Sequence, residues 1–218
     1  MWVCFTLLKT KMQFMKSELV EILKIVRTIL IKDGVKCLNI KSVSDKSSFS
    51  IEELNRFFKD DKDLITQLLE FERHAFIEIF NENNFDGVNA IDIMMFVGKQ
   101  LSEKYDYISP SFSNDIKKCF PEIYEKHFQS RTDFIFGKIK INLEKGISQG
   151  MYRSDLSIDL LSRLYISRLW DIHNEDFFPP EKFSFDTLYE FMFNNLIRSI
   201  ATDEGLEYYK KKIKKADF

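Results

Sequence analysis

Three helix-start signals lie close together between residues 34 and 64 and leave room only for very short helices. Asn39 can cap one helix with its side chain, and Ser50-x-x-Glu53 has the spacing of a reciprocal capping box. Asp60 or Asp61 can cap the helix that follows. Helices this short are not stable alone, so they must pack on each other and on the helix before them. The stretch therefore predicts a helix-turn-helix arrangement.

Longer amphipathic helices flank this stretch on both sides. The periodicity predicts a helix over 17–33 that ends at Gly34, because glycine tolerates the left-handed conformation of a helix end. A second helix is predicted over 61–80, and its last apolar residues belong to a separate C-terminal core. Further helices are predicted at 88–105, 113–120, 121–149, 157–173 and 186–201.

Composition agrees with an all-α chain. The 218 residues include only 7 glycines and 4 prolines, while 44% of the residues are hydrophobic. Few helix breakers and many long apolar side chains favour helices around a sizeable core. The formal net charge of -2 gives no overall attraction to nucleic acid or to anionic membranes. Three widely spaced cysteines indicate reduced thiols and a cytoplasmic protein.

The residues from 22 to 64 keep a regular apolar frame without an insertion. Its positions are Ile22-Leu23, Gly34, Asn39-Ile40-Lys41-Ser42-Val43-Ser44, Ser48-Phe49-Ser50, Leu54-Asn55-Arg56-Phe57-Phe58 and Asp60-Asp61-Lys62-Asp63-Leu64. This frame resembles the N-terminal DNA-binding domain of the TetR family of bacterial transcription repressors. A second segment, Gly146-Ile147-Ser148-Gln149-Gly150-Met151-Tyr152-Arg153-Ser154-Asp155, is similar to the Gly-Ile-x-x-Gly-x-x-Arg-x-Asp turn between helices 7 and 8 of that family.

The resemblance implies an all-α, TetR-like fold with two parts. Residues 1–63 would form the N-terminal arm and the three-helix, helix-turn-helix DNA-binding domain. Residues 64–218 would form a helical domain for ligand binding and dimerisation. The implied homodimer is held by the helices at 157–173 and 186–201, and the implied function is regulation of transcription by a dimer that binds operator DNA.

Several polar positions differ from the family pattern. Asn55 stands where the family has a phosphate-contacting Tyr, and Asp61 stands where it has a phosphate-contacting Lys. From Lys32 to Asp63 there are seven basic and seven acidic residues, so the segment has no net charge. DNA affinity comes largely from Lys and Arg, which favours a positive surface. The candidate DNA-binding residues are Asn39, Lys41 and Lys59 for phosphates, and Ser50, Glu52, Asn55 and Arg56 for the groove. The alternative is a TetR-fold module for ligand or protein binding that has lost DNA binding.

The C-terminal helices are rich in aromatic side chains. Apolar pockets with a few polar groups are the usual form of a small-molecule site, and the family holds its inducers between helices 4 to 8. The expected partner is therefore a small apolar ligand, with no cofactor. The candidate ligand-binding residues are Phe96, Tyr124, Phe128, Phe134 and Tyr165. The other reading of the same aromatics is a plain helical core.

The sequence argues against an enzyme and against a metal site. The three histidines are scattered without a metal-ligand pair, and the glycines do not form a phosphate loop. The pattern contains no nucleophile elbow. The apolar run at residues 2–8 is too short to span a membrane. We expect an arm that packs on the body of the protein, or a true start at Met12 or Met15 instead of Met1.

Overall fold

The computed structural model describes residues 17–34, 38–105, 110–172, 174, 176–179 and 181–214, with only the backbone for 102–105 and 110–114. These residues form ten α-helices and no strand, which confirms the all-α prediction. The helices are α1 Ser17–Asp33, α2 Ile40–Asp45, α3 Ile51–Leu54, α4 Asp61–Asn81, α5 Ala90–Tyr105, α6 Pro110–Cys119, α7 Pro121–Ser148, α8 Ile158–Asp171, α9 Phe185–Ile200 and α10 Asp203–Ile213. The expectations for residues 1–16 lie outside the described residues.

Two helix starts differ from the sequence prediction. Helix α6 begins at Pro110, three residues before the predicted start at residue 113, because proline fits the first turn of a helix as well as a loop. Helix α10 begins at Asp203, and the Thr202 hydroxyl accepts a hydrogen bond from the Gly205 N–H. The predicted helices stop at residue 201, so this helix start and the capping role of Thr202 were missed.

The chain divides into two compact units, and the divisions fall within α4, after the first residue of α6 and within α7. Among the described residues, the first unit contains the chain up to Ala75 together with 111–127. The second contains 76–110 and 128–214. The domain boundary predicted between residues 63 and 64 concerns functional domains, and it stays a prediction.

The first unit is built around the apolar stripe of α1. The two very short helices each bury one side chain completely, Val43 of α2 and Leu54 of α3. Burying a Val or Leu side chain contributes about 1.5–3 kcal/mol, so packing supplies the stability that the short helices lack. The remaining fully or nearly fully buried members of this core are Ile22, Leu23, Val26, Ile29, Leu30, Leu38, Phe58, Leu64, Ile65, Leu68, Leu69 and Ile116.

The second unit contains a tight turn after α7 that depends on glycine. Gly150 has a φ of 72°, which is the left-handed region that ends the helix. Tyr152 then turns back over Gly146, so close that a methyl group there would overlap its ring. The backbone of Met151 approaches Gly205 in the same way, and Tyr152 forms an isolated β-bridge with Ala201. The glycine-rich turn therefore fastens the start of α10 to the end of α7.

No helix among the described residues is long and apolar enough to cross a membrane.

Candidate nucleic-acid interface

Helix α2 begins with a reciprocal cap. The Asn39 side-chain oxygen accepts a hydrogen bond from the Ser42 N–H at 2.8 Å, and the Ser42 hydroxyl accepts one from the Asn39 N–H at 3.0 Å. The capping role predicted for Asn39 is confirmed. Phosphate oxygens only accept hydrogen bonds, so a phosphate contact would come from the amide NH₂ group of Asn39 and not from the oxygen that forms the cap.

Helix α3 begins with the capping box that the sequence predicted. The Glu53 carboxylate accepts hydrogen bonds from both the backbone N–H and the hydroxyl of Ser50, each at 2.8 Å. In return the Glu53 N–H donates to the Ser50 hydroxyl oxygen at 3.2 Å. The backbone and side-chain hydrogen bonds from Ser50 lower the pKa of Glu53, and nearby Arg56 lowers it further. Glu53 is therefore an ionised cap of α3.

Helix α4 begins with three aspartates that satisfy backbone N–H groups. Asp60 accepts from the Asp63 N–H at 2.8 Å, and Asp63 accepts from the Lys59 N–H at 2.9 Å. Asp61 instead reaches back to α2, where its carboxylate accepts the Ile40 N–H at 2.8 Å. Backbone N–H groups at helix starts are common donors to DNA phosphates. At the start of α2 this donor is already bound by the Asp61 carboxylate.

Helix α3 presents most of the predicted groove residues to solvent. Leu54 is completely buried, and this fixes the opposite side of the helix outward. Glu52, Asn55 and Arg56 are exposed there. Carboxylate, amide and guanidinium groups can each bond base edges in a major groove. The predicted residues Lys41, Ser50 and Lys59 are also exposed, whereas Asn39 is half-buried.

One residue on this surface was missed by the sequence analysis. Ile51 is 45% exposed at the first position of α3, although isoleucine is usually buried. Helical periodicity places it on the side of Leu54 and Phe58. Ile51 is the first residue of a four-residue helix, so no preceding turn of α3 covers its side chain. An apolar side chain at this position can contact a thymine methyl group.

The predicted ligand-binding aromatics do not form one group. Tyr124 belongs to the first unit, where it packs against the core and lies 5.9 Å beneath the Lys117 ammonium group. The other four belong to the second unit. Phe128 stacks on Trp170 with ring centroids 4.6 Å apart, while Phe96, Phe134 and Tyr165 contact other aromatic neighbours. Their roles in ligand binding stay predictions.

Tyrosine hydroxyls form a buried polar group in the second unit. The Tyr165 and Tyr189 oxygens lie 3.3 Å apart. The Tyr152 hydroxyl donates to the Asn142 side-chain oxygen at 3.2 Å, and the Asn142 amide donates to the Ala90 carbonyl at 2.9 Å. Burial raises the pKa of Tyr152 and of Tyr165. These phenols therefore stay neutral and are suited to hydrogen bonding, not to acid–base chemistry near neutral pH.

Phenylalanine rings form a second cluster around α4, α5 and α7. Phe134 meets Phe76 and Phe80 edge to face, each with a centroid distance of 5.5 Å. Phe80 contacts Phe85 at 6.4 Å, and Phe85 contacts Phe96 at 5.9 Å. These contacts give a continuous row of rings from the core to Phe96, which is 37% exposed.

Metal ligands are not grouped in the part of the chain that the structure describes. No set of three or more His, Cys, Asp or Glu side chains there is arranged to hold an ion.

Solved structures of transcriptional regulators share this architecture. The fatty acid degradation regulator FadR from Bacillus halodurans matches with a TM-score of 0.67 at 10% identity, over 84% of this chain and 95% of that one. A TetR-family regulator from Agrobacterium tumefaciens matches with a TM-score of 0.62 at 12% identity, over 83% and 96%. SmeT in complex with triclosan matches with a TM-score of 0.62 at 10% identity, over 84% and 90%.

This chain has the TetR fold. No protein-family model matches the sequence, and no curated protein matches it significantly. The identities of 10–12% to the three structures establish the fold and leave the function to be argued from the residues.

Within this TetR fold, α8 and α9, the two helices of the predicted dimer face, carry exposed apolar residues. Leu160 and Leu164 of α8 are 56% and 50% exposed, and they lie one helical turn apart on the same face. Phe191 of α9 is 70% exposed. The opposite sides of both helices are buried, through Tyr165 and Ile166 of α8 and four residues of α9. Contiguous patches of exposed apolar side chains mark interaction surfaces, whereas single exposed ones do not. The dimer through these two helices stays a prediction.

Proposed function

We propose that the protein is a TetR-like transcription regulator that binds operator DNA as a homodimer. The proposal rests on how α3 is capped and packed and on which of its side chains are exposed. Its N-terminus is fixed by the Ser50–Glu53 capping box, its inner side by the buried Leu54, and its outer side presents polar groups to solvent. A rigid short helix with exposed polar side chains is what reading of a major groove requires.

The proposed contacts follow from exposure and chemistry. Glu52, Asn55 and Arg56 would contact base edges, since these side chains match cytosine, adenine and guanine. Lys41 and Lys59 would bind phosphates. The Ser50 hydroxyl and the Asn39 side chain, which serve as caps, would add weaker contacts through their remaining hydrogen-bonding capacity.

Dimerisation through α8 and α9 supports the same function. The exposed Leu160, Leu164 and Phe191 would be buried between two copies of the chain, in an interface of two helices from each subunit. A two-fold symmetric dimer presents two copies of α3, so the operator should consist of two half-sites related by symmetry.

A small apolar ligand in the second unit would control this DNA binding. Phe96, Phe128, Phe134 and Tyr165 lie in that unit among other aromatic rings, and Tyr124 lies in the first unit. SmeT, which has the same fold, forms a complex with triclosan, and FadR regulates fatty acid degradation. Triclosan and fatty acids both have large apolar parts, which supports an apolar ligand for this chain. We propose no catalytic activity and a cytoplasmic location.

The alternative function is a ligand-binding or protein-interaction module that has lost DNA binding. The Asp61 carboxylate at the Ile40 N–H favours it, because a negative charge lies where the family places a phosphate-contacting Lys. The exposed Glu52 and the ionised Glu53 of α3 add to the negative charge. In this case the helix-turn-helix region of each subunit, residues 39–64, which we call the head, would present a surface for a partner other than DNA.

Selection from a pool of random DNA duplexes at low salt tests the proposal. We expect enrichment of sites with two-fold related half-sites. Arg56→Ala should lower the affinity for the enriched site by about 1–3 kcal/mol. It should also remove the base preference at one position of each half-site. Lys24→Ala is the matched control, because Lys24 is an exposed cation on α1 and is not one of the proposed DNA contacts. A pool that shows no enrichment for the wild-type protein would support the alternative module.

A further inference from the structure

Lys138 lies in an unusual environment on α7. Its side chain is half-buried, and its ammonium nitrogen is 4.8 Å from the centroid of the Phe80 ring and 5.2 Å from that of Phe134. The faces of aromatic rings carry partial negative charge and attract a cation. The two phenylalanines therefore hold the ammonium group in place at the row of rings that extends through Phe85 to Phe96.

Lys138 has no carboxylate partner among the described residues. Other partly buried or exposed lysines of the chain do have one, as in Lys212 with Asp92 at 3.0 Å and Lys46 with Asp33 at 2.9 Å. Desolvation lowers the pKa of Lys138, and no neighbouring charge counteracts it. An ammonium group has three N–H donors, and ring faces are weak acceptors. The site is thus a positioned cation without an anion.

Apolar surface lies directly beside this cation. Phe80 and Phe134 are partly buried, Phe85 is partly buried, and Phe96 is 37% exposed. Ring contacts of 5.5–6.4 Å join them into one surface. A molecule that bound here would meet the Lys138 ammonium group at one end and aromatic carbon along the row. The Lys145 ammonium group also lies near the row, where it donates to the Phe85 backbone carbonyl at 2.6 Å.

We propose that this site binds an organic acid with an apolar body, with its carboxylate on Lys138 and its body along Phe80, Phe85 and Phe96. The proposal rests on the ligand-binding role of the second unit and specifies the class of ligand. A charge-assisted hydrogen bond to the carboxylate is short and strong, and it strengthens where water is partly excluded. The resident ammonium group repels an organic cation, although aromatic rings alone would attract one.

The test compares decanoate with decanamide, which has the same chain and no charge, by isothermal titration calorimetry on the full chain. Wild type should bind decanoate at least about tenfold more tightly than decanamide, as expected for a hydrogen bond between charged groups. Lys138→Met should remove most of that preference and leave decanamide binding within about twofold. Lys138→Arg should restore it, because it keeps the charge.

Lys140→Met is the matched control, since Lys140 is exposed on the same helix and its loss should leave the preference unchanged. Circular dichroism of each variant confirms that the helices are retained. Equal binding of decanoate and decanamide by wild type, no binding of either, or tighter binding of decyltrimethylammonium would each overturn the proposal.

The same samples separate this inference from the proposed function. Release of the selected operator is measured with both ligands. Decanoate binding that depends on Lys138, in a protein that binds no DNA, would support the site and contradict the regulator. Operator release by decanamide as effectively as by decanoate would support the regulator and overturn the role of Lys138.

Discussion

The carboxylate of Asp61, at the start of α4, accepts a hydrogen bond of 2.8 Å from the backbone N–H of Ile40, at the start of α2. The two residues are 21 positions apart, and the bond joins the helices on either side of α3. It stabilises the head, because it satisfies an N–H at a helix start. It also places a negative charge on the surface that should approach DNA phosphates, so stability and DNA affinity have opposite requirements here.

Replacing Asp61 by Asn should raise the affinity for DNA. The amide keeps an oxygen that can accept the Ile40 N–H, while the repulsion between the carboxylate and phosphate is removed. We expect a gain of about twofold to tenfold at low salt, decreasing as salt is added. Fluorescence anisotropy with a labelled duplex measures it. Glu70→Gln, an exposed change further along α4, should have no effect; equal affinities for Asp61→Asn and wild type would refute the inhibitory role.

The capping box of α3 should make stability depend on pH through Glu53. Its pKa in the folded protein is lower than the ordinary value of 4.5, because Ser50 donates to its carboxylate. The stabilisation is therefore present above the unfolded pKa and is lost as pH falls through the folded pKa. Urea unfolding should show Glu53→Gln less stable than wild type at pH 7, and the difference should shrink toward pH 3. A difference that is constant with pH would contradict this role.

Ser50→Ala should destabilise the protein by about 1 kcal/mol, the usual effect of removing a helix cap. The Ser50 oxygen accepts the Glu53 N–H at 3.2 Å, and alanine leaves that donor to solvent. Urea unfolding at pH 7 gives the change. Ser154→Ala is a control at an exposed position outside the helices, and it should stay within about 0.5 kcal/mol of wild type.

Two glycines of α7 should respond oppositely to substitution by alanine. Gly146→Ala places a methyl group against the Tyr152 ring and should destabilise the protein by about 1–3 kcal/mol through overpacking. Gly137 has no atom within 4 Å of its added methyl group. Gly137→Ala should therefore stabilise the helix by about 0.5–1 kcal/mol. Thermal unfolding of both variants measures the difference, and a loss of stability of similar size in both would contradict the close packing of Tyr152.

The dimer should depend on the exposed apolar residues of α8 and α9. Charged groups cannot be buried without a partner at low cost, so Leu164→Glu and Phe191→Glu should each shift the protein to monomer. Sedimentation velocity at micromolar concentration measures the change. Ile141→Glu is the matched control, because Ile141 is equally apolar and 59% exposed on α7. A dimer unaffected by both changes would place the interface elsewhere.

Local signals in the sequence predicted much of the fold. The caps at Asn39 and Ser50, the helix ends at Gly34 and Gly150 and the buried Leu54 all depend on residues within a few positions of each other. The resemblance to the TetR family supplied the arrangement of the helices. These local rules were sufficient because capping and helix periodicity are short-range properties.

Contacts between distant residues could not be predicted in this way. The bond from Ile40 to Asp61 and the position of Lys138 between Phe80 and Phe134 depend on how separate helices pack. The exposure of Ile51 depends on how the start of α3 packs against the rest of the protein. The sequence therefore indicated which residues lie on the head of the protein, but not which of them are already engaged within it.

Binding to bulk duplex DNA at low salt tests the central claim most directly. The wild-type protein is compared with the double variant Arg56→Ala/Lys59→Ala and with the control Lys24→Ala/Lys140→Ala, which removes two exposed cations elsewhere. The regulator account predicts binding that weakens with salt and a clear loss of affinity in the double variant. The slope of log affinity against log salt concentration should be shallower by about 1.8, which is about 0.9 for the phosphate contact of Lys59 in each of the two subunits. Absence of binding by wild type, or equal binding by both variants, would contradict DNA reading by α3.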